Sequence, residues 1–86
     1  MPNCDVYEEI EMAVDMVITY GYVPRSIWMP PDVLAKMGRQ MGDVGFTPTI
    51  LFGLPVTISD RIPAKFFELS FKDGSEGNKW RVWVGS

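Results

Sequence analysis

Proline and glycine occur so often along this chain that they exclude a bundle of long helices. Seven prolines and eight glycines fall within 86 residues. Proline lacks an amide hydrogen and glycine has excess backbone freedom, so both interrupt helices and favour turns. The length is that of one domain, and we expect a single compact domain over residues 1–86. A mixed fold of few helices and several short strands follows.

Two segments have the periodicity of amphipathic helices. Residues 5–20 form the first, in which Asp5 is the expected N-cap and Gly21 the stop; its apolar positions are Val6, Ile10, Ala13, Val14 and Val17. Residues 31–41 form the second, with Pro31 in the first turn and Gly42 after the end; its apolar positions are Val33, Leu34, Met37 and Met41. Gly38 weakens the second helix by about 1 kcal/mol relative to alanine.

The remaining segments alternate like strands. They are residues 26–29, 49–52, 54–59, 66–71 and 80–84, with a tight turn at Gly53 and a hairpin loop over 72–79. We expect Pro55 to lie on an edge or beside the turn, where its missing donor is harmless. The sequence therefore predicts an α+β fold, a mostly antiparallel sheet of about five strands with two helices packed on one face.

The residue inventory argues against an enzyme. The chain has no histidine, which excludes Ser-His and Cys-His pairs within it, and the charged residues near its one cysteine, Cys4, are all acidic. Glu8, Glu11 and Asp15 share a helix face, which is typical of a solvated surface and only rarely of a carboxylate pair in a cleft. We expect no catalytic residues, no cofactor and no metal site.

The charge distribution is one-sided. The net charge is −3, and residues 1–24 contain five acids and no lysine or arginine: Asp5, Glu8, Glu9, Glu11 and Asp15. Such a surface favours a positively charged protein partner over direct contact with nucleic acid, although acids on a helix also serve solubility alone.

Aromatic residues provide the second candidate surface. Strand alternation puts Trp28, Phe66 and Trp83, with Tyr22 less securely, on the face opposite the core. An exposed aromatic patch of this kind marks a protein interface, unless a loop folds over it. The predicted partner-binding residues are Asp5, Glu8, Glu9, Glu11, Asp15, Trp28 and Trp83.

Part of the chain resembles a known family. The runs "PRSIWMPPDVLAKM" and "TILFGLPVTISDRIP" are similar to a segment of tailed-phage major coat proteins, matching over about residues 10–63 at Ile27, Trp28, Met29, Pro30, Leu51, Gly53, Pro55, Val56, Ser59, Asp60 and Pro63. The resemblance implies a phage or prophage origin, and it implies that the Gly-x-Pro-Val hairpin belongs to a central sheet with flanking helices.

The resulting hypothesis is a small, non-catalytic phage protein that binds another protein, structural or associated with the particle. The alternative is a phage-encoded inhibitor of a bacterial defence system, similar to an anti-CRISPR, whose acidic helix blocks a basic nucleic-acid-binding surface. The partner is then a particle component or a host defence complex, and self-association stays open. Neither a signal peptide nor a membrane span is expected, so the predicted location is the bacterial host cytoplasm or the virion.

Overall fold

The protein folds into two helices and one five-stranded, mostly antiparallel sheet, as the sequence predicts. The computed structural model describes residues 6–43, 45–71 and 79–84. The expected cap at Asp5, the thiol of Cys4 and the hairpin loop, apart from its last residue Lys79, lie outside these residues.

The first helix, α1, spans Val6–Thr19 and ends at a glycine, as expected. Gly21 has φ +95°, a left-handed conformation that suits glycine. Its N–H donates to the carbonyl of Ile18, and the next N–H, of Tyr22, donates to Val17, each at 2.9 Å. These two bonds form a Schellman motif, which satisfies the last carbonyls of the helix. At the other end the amide of Val6 donates to the side-chain oxygen of Gln40 at 2.7 Å.

The second helix, α2, spans Pro31–Met41 and ends at Gly42, which has φ +74°. The close approach of the following chain explains why residue 38, inside α2, is a glycine. A Cβ atom at Gly38 would come within 2.7 Å of the carbonyl oxygen of Asp43, and the amide of Asp43 donates to the Gly38 carbonyl at 2.8 Å. The chain leaving α2 therefore passes too close for any side chain at position 38.

The strands are β1 (Pro24–Met29), β2 (Ile50–Leu51), β3 (Leu54–Ile58), β4 (Phe66–Phe71) and β5 (Lys79–Trp83). Their order in the sheet is β2-β3-β1-β4-β5. All neighbours are antiparallel except β1 and β3, which run parallel because α2 and β2 intervene between them. The central strand is therefore β1.

A two-residue turn joins β2 to β3. Phe52 and Gly53 both have positive φ, +52° and +79°, the combination that a type I′ hairpin turn requires. The ring of Phe52 lies 4.9 Å from that of Tyr7 between centroids, so the turn packs on α1. Pro55 lies close to the turn, as predicted: it is the second residue of β3, one residue beyond Leu54, and it pairs with Ile50 of the edge strand β2.

Alternate residues of the sheet form the core together with both helices. Ile27, Met29, Phe67 and Leu69 have no exposed surface. The buried side chains of the helices that join this cluster are Val6, Ile10, Ala13, Val14, Val17, Val33 and Met37. The packing of both helices on the same face of the sheet stays a prediction.

The alternating residues in between point to the other side of the sheet, which we call the outer face. Cross-strand pairing places Trp28 beside Glu68 and Glu68 beside Arg81 in one row of this face. A neighbouring row pairs Ser26 with Ser70 and Ser70 with Lys79, and a further pair is Phe66 with Trp83.

Candidate functional site

The predicted partner-binding residues separate into two surfaces. Glu8, Glu11 and Asp15 are exposed on α1, whose opposite side is buried in the core. Trp28 and Trp83 lie on the outer face of the sheet. Of the other two, Glu9 is partly buried, and Asp5 lies outside the described residues. The sequence-based set is therefore not one site, and each surface has to be considered separately.

The first surface is a row of carboxylates along α1, which we call the acidic ridge: Glu8, Glu11 and Asp15. Steps of three and four residues keep the three side chains on one side of a helix. Neither Glu11 nor Asp15 takes part in an ion pair with any residue that the structure describes. Their charge is therefore available to a partner.

Exposed apolar side chains adjoin the acidic ridge. Met12, Met16 and Tyr20 follow each other at intervals of four residues and are 58%, 43% and 65% exposed. The amide of Tyr20 donates to the carbonyl of Met16 at 3.1 Å, which continues the helical path to the end of this apolar stripe. The ring of Tyr20 lies edge-on to Trp80 at 6.5 Å between centroids. A patch of this kind is typical of a contact surface, and its sequence signal is the four-residue spacing of Met12, Met16 and Tyr20.

The second surface is built around a buried carboxylate on the outer face. Glu68 is only 3% exposed, although it lies on the side of the sheet opposite the core. Its Oε2 accepts a hydrogen bond from Nε of Arg81 at 2.7 Å and forms an ion pair with Nη2 of the same residue at 2.5 Å, and its Oε1 lies 4.0 Å from Nζ of Lys79. A buried carboxylate requires such partners, since an unpaired charge would be strongly destabilising.

Beside Glu68 the outer face forms a cavity of about 410 Å³, which we call the basic pocket. It is lined by Arg25, Ser26, Trp28, Ser59, Arg61, Ile62, Glu68, Ser70 and Lys79. Three cations and one carboxylate leave these lining residues with a formal charge of +2, in a chain whose net charge is −3. The lining of the basic pocket is therefore positive although the chain as a whole is negative.

Trp28, predicted from the sequence as part of an exposed aromatic patch, lines this pocket, whereas its other lining residues were not predicted as site residues. Glu68 and Arg81 are 13 residues apart, and they meet only because of the register between β4 and β5. Tyr22 does not join the other aromatics, because its ring packs on Phe71 of the core at 5.2 Å. Phe66 does lie on the outer face, where its ring is 6.0 Å from the guanidinium carbon of Arg81.

Metal-binding clusters and membrane-spanning helices were sought among the residues that the structure describes. Among 6–43, 45–71 and 79–84, no three His, Cys, Asp or Glu side chains come together as a metal site would require. Over the same ranges, neither helix has the length and apolarity needed to span a bilayer.

The fold and its two outer surfaces define an α+β domain with an anionic helix on one side and a cationic pocket on the other. Comparisons of the chain with protein-family models, with curated proteins and with solved structures give no match. The function is therefore argued from the two surfaces themselves.

Proposed function

We propose that the protein is a small, non-catalytic interaction protein of phage type that binds a positively charged protein through α1. The observation that carries this proposal is the acidic ridge lying directly beside the exposed apolar stripe of Met12, Met16 and Tyr20. Carboxylates alone would serve solubility, whereas carboxylates next to apolar area supply both attraction and surface to bury.

The two parts of the surface have different roles in binding. The acidic ridge accelerates encounter with a positively charged partner and fixes its orientation, and it weakens as salt rises. The apolar stripe supplies the area that is removed from water, and the unbranched methionines adapt to an uneven partner surface.

The spacing of the acidic ridge supports the inhibitor hypothesis. With a rise of about 1.5 Å per residue, successive carboxylates of Glu8, Glu11 and Asp15 are about 4.5 and 6 Å apart along the helix axis. Phosphates follow each other at about 3.4 Å along one strand of a duplex. The acidic ridge resembles such a strand in being a straight row of negative charges, but its charges are more widely spaced. A basic groove that binds nucleic acid is a fitting target, as for an anti-CRISPR acting in the host cytoplasm.

A role in the phage particle is the second candidate, and a different part of the fold favours it. The two runs that resemble coat proteins form β1, most of α2, the β2–β3 hairpin and the segment after it. The edge strand β2 leaves Ile50 63% exposed, and an exposed edge can pair with a strand of a neighbouring subunit. In this case the protein is located in the virion.

A pair of charge-reversal variants tests binding through α1. Asp15→Lys changes the acidic ridge, and Asp60→Lys makes the same change in net charge at an exposed position away from α1. With the protein as bait in a lysate of the bacterial host, we expect quantitative mass spectrometry to show at least a tenfold loss of one basic partner for Asp15→Lys. Asp60→Lys should retain it, and equal capture by both variants would contradict the proposal.

A pair of methionine variants separates the apolar stripe from the charge. Met16 and Met41 have nearly equal exposure, 43% and 45%, and only Met16 lies in the stripe. Met16→Ala should weaken the captured complex about fivefold or more, while Met41→Ala should leave its affinity within about twofold. Titration of the purified partner provides the measurement.

The particle hypothesis has its own test. Ile50→Glu places a charge on the exposed edge strand and should prevent the protein from sedimenting with purified virions, whereas Asp15→Lys should not. If the protein never sediments with virions and binds a host protein through α1, the inhibitor hypothesis remains.

A further inference from the structure

The basic pocket on the outer face is a site that binding through α1 does not use. We infer that it binds a small phosphomonoester carrying a flat ring, the chemistry of a nucleotide, with the phosphate against Arg25, Arg61 and Lys79 and the ring against Trp28. The inference is independent of the partner proposed for α1, because the two surfaces share no residue.

The charges of the pocket select an anion. Arg25 and Arg61 are exposed, and neither guanidinium pairs with a carboxylate among the residues described. Glu68 is paired with Arg81 through Oε2, and its Oε1 lies 4.0 Å from Nζ of Lys79, so Glu68 offsets part of the Lys79 charge but not the charges of Arg25 and Arg61. Guanidinium groups and an ammonium around one cavity are the side chains that bind phosphate oxygens most strongly.

The serine hydroxyl groups of the basic pocket retain hydrogens that can be donated to a ligand. Trp28 Nε1 donates to Ser26 Oγ at 2.9 Å, and Ser26 Oγ lies 2.5 Å from Ser70 Oγ. Only one of the two serine hydroxyl hydrogens is used in the bond between Ser26 and Ser70, so the other can be donated to a ligand. Ser59 Oγ accepts the amide of Arg61 at 3.2 Å and also keeps its own hydrogen to donate.

Donors therefore outnumber acceptors in this cavity, and its occupant must be rich in acceptors. A phosphate group meets this demand better than a carboxylate, because it offers three terminal oxygens to several donors at once.

Trp28 indicates the rest of the ligand. Its indole is held by the bond to Ser26, lines the cavity and is 36% exposed. Flat rings of nucleic-acid bases pack on exposed aromatic side chains. A volume of about 410 Å³ lies within the range of pockets that hold molecules of this size.

The same chemistry occurs in a free nucleotide and at the phosphorylated end of a single strand. Isothermal titration of the full chain with adenosine monophosphate is the first measurement. Adenosine and inorganic phosphate are the comparison probes, each expected to bind at least tenfold more weakly.

A 5′-phosphorylated tetranucleotide distinguishes the two sources of this chemistry. If it binds more tightly than adenosine monophosphate, the site is assigned to the end of a strand, and if it binds more weakly, the site is assigned to the free nucleotide.

Matched variants localise the binding. Arg61→Gln should weaken adenosine monophosphate at least fivefold, whereas Arg39→Gln, which removes an exposed arginine charge from α2, should change it by less than about twofold. Trp28→Leu should weaken it about threefold or more, and Trp83→Leu, outside the pocket, should not. Asp15→Lys on α1 should leave this binding intact.

Three results would overturn the inference. They are absence of binding at millimolar adenosine monophosphate, equal affinity for this nucleotide and inorganic phosphate, and an Arg61→Gln variant that binds like the wild type. Circular dichroism and denaturation of each variant show whether it is folded, so a loss caused by unfolding is recognised.

Discussion

The acidic ridge of α1 and the outer face of the sheet hold their carboxylates in opposite ways. Asp15 on the ridge is exposed and has no ion pair among the residues described, whereas Glu68 on the sheet is buried and bonded to Arg81. An exposed carboxylate contributes little to stability and is free to meet a partner. A buried one is tied into the fold and cannot be removed from its partner without cost. Exposure to solvent, more than residue type, therefore separates the carboxylate that is tied into the fold from the carboxylate proposed for binding.

The substitution with the largest expected effect on stability tests which face of the sheet packs against the core. Phe66 and Phe67 are neighbours on β4, one half-buried on the outer face and the other fully buried. Phe67→Ala should lower the free energy of unfolding by about 3–5 kcal/mol, because it leaves a cavity in the core. Phe66→Ala should cost about 1 kcal/mol. Urea denaturation measures both, and equal losses would refute the assignment of the two faces.

The next effect tests the buried carboxylate. Arg81→Ala leaves Glu68 without its main partner and should cost about 2 kcal/mol, below the usual cost of breaking a buried pair because Arg81 is half-exposed and Lys79 remains nearby. Arg39→Ala removes an exposed arginine and should stay within about 0.5 kcal/mol. Adding Glu68→Gln to Arg81→Ala should restore part of the loss, since it removes the unpaired charge. No difference between the two arginine variants would show that the pair is not structural.

A smaller effect tests the turn that connects the sheet to α1. Gly53 has φ +79°, so Gly53→Ala should cost about 1 kcal/mol through backbone strain. Gly45 has no such φ, and a Cβ there would meet only Asp43 Oδ1 at 3.9 Å, an ordinary contact distance, so Gly45→Ala should be close to neutral. Thermal denaturation of both variants gives the comparison, and an equal shift would mean that the hairpin turn is not the type I′ turn described.

The smallest expected change in stability belongs to the acidic ridge. Asp15→Asn should alter the free energy of unfolding by less than about 0.5 kcal/mol while it weakens the complex with the partner. Raising the salt concentration from 0.05 to 0.3 M should weaken the wild-type complex more than the complex of this variant, because the variant has one charge fewer to screen. A large loss of stability instead would place Asp15 among the structural groups.

The helices and strands could be predicted because their signals are local. Five apolar positions at helical spacing and the stop at Gly21 specify α1, and alternation around Phe67 and Leu69 specifies β4. The turn at Phe52 and Gly53 follows from glycine between two apolar runs. Each of these features depends on residues close together along the chain.

The basic pocket could not be predicted because it depends on distant segments. Arg25 precedes the centre of β1, Arg61 follows β3 and Lys79 begins β5. Only the order β2-β3-β1-β4-β5 and the cross-strand register bring them to one cavity, and register shifts of one residue would turn each side chain to the other face. The acidic ridge, by contrast, lies on one helix and was visible in the sequence.

The most direct test of binding through α1 is site-specific photo-crosslinking in infected or expressing host cells. A photoreactive residue placed at Met12, beside the acidic ridge, should form a covalent adduct with one basic protein. The same residue at Met41 on α2 or at Trp83 on the sheet should not. Adducts of equal yield from all three positions, or from Trp83 alone, would contradict the proposal that the protein acts through the anionic surface of its first helix.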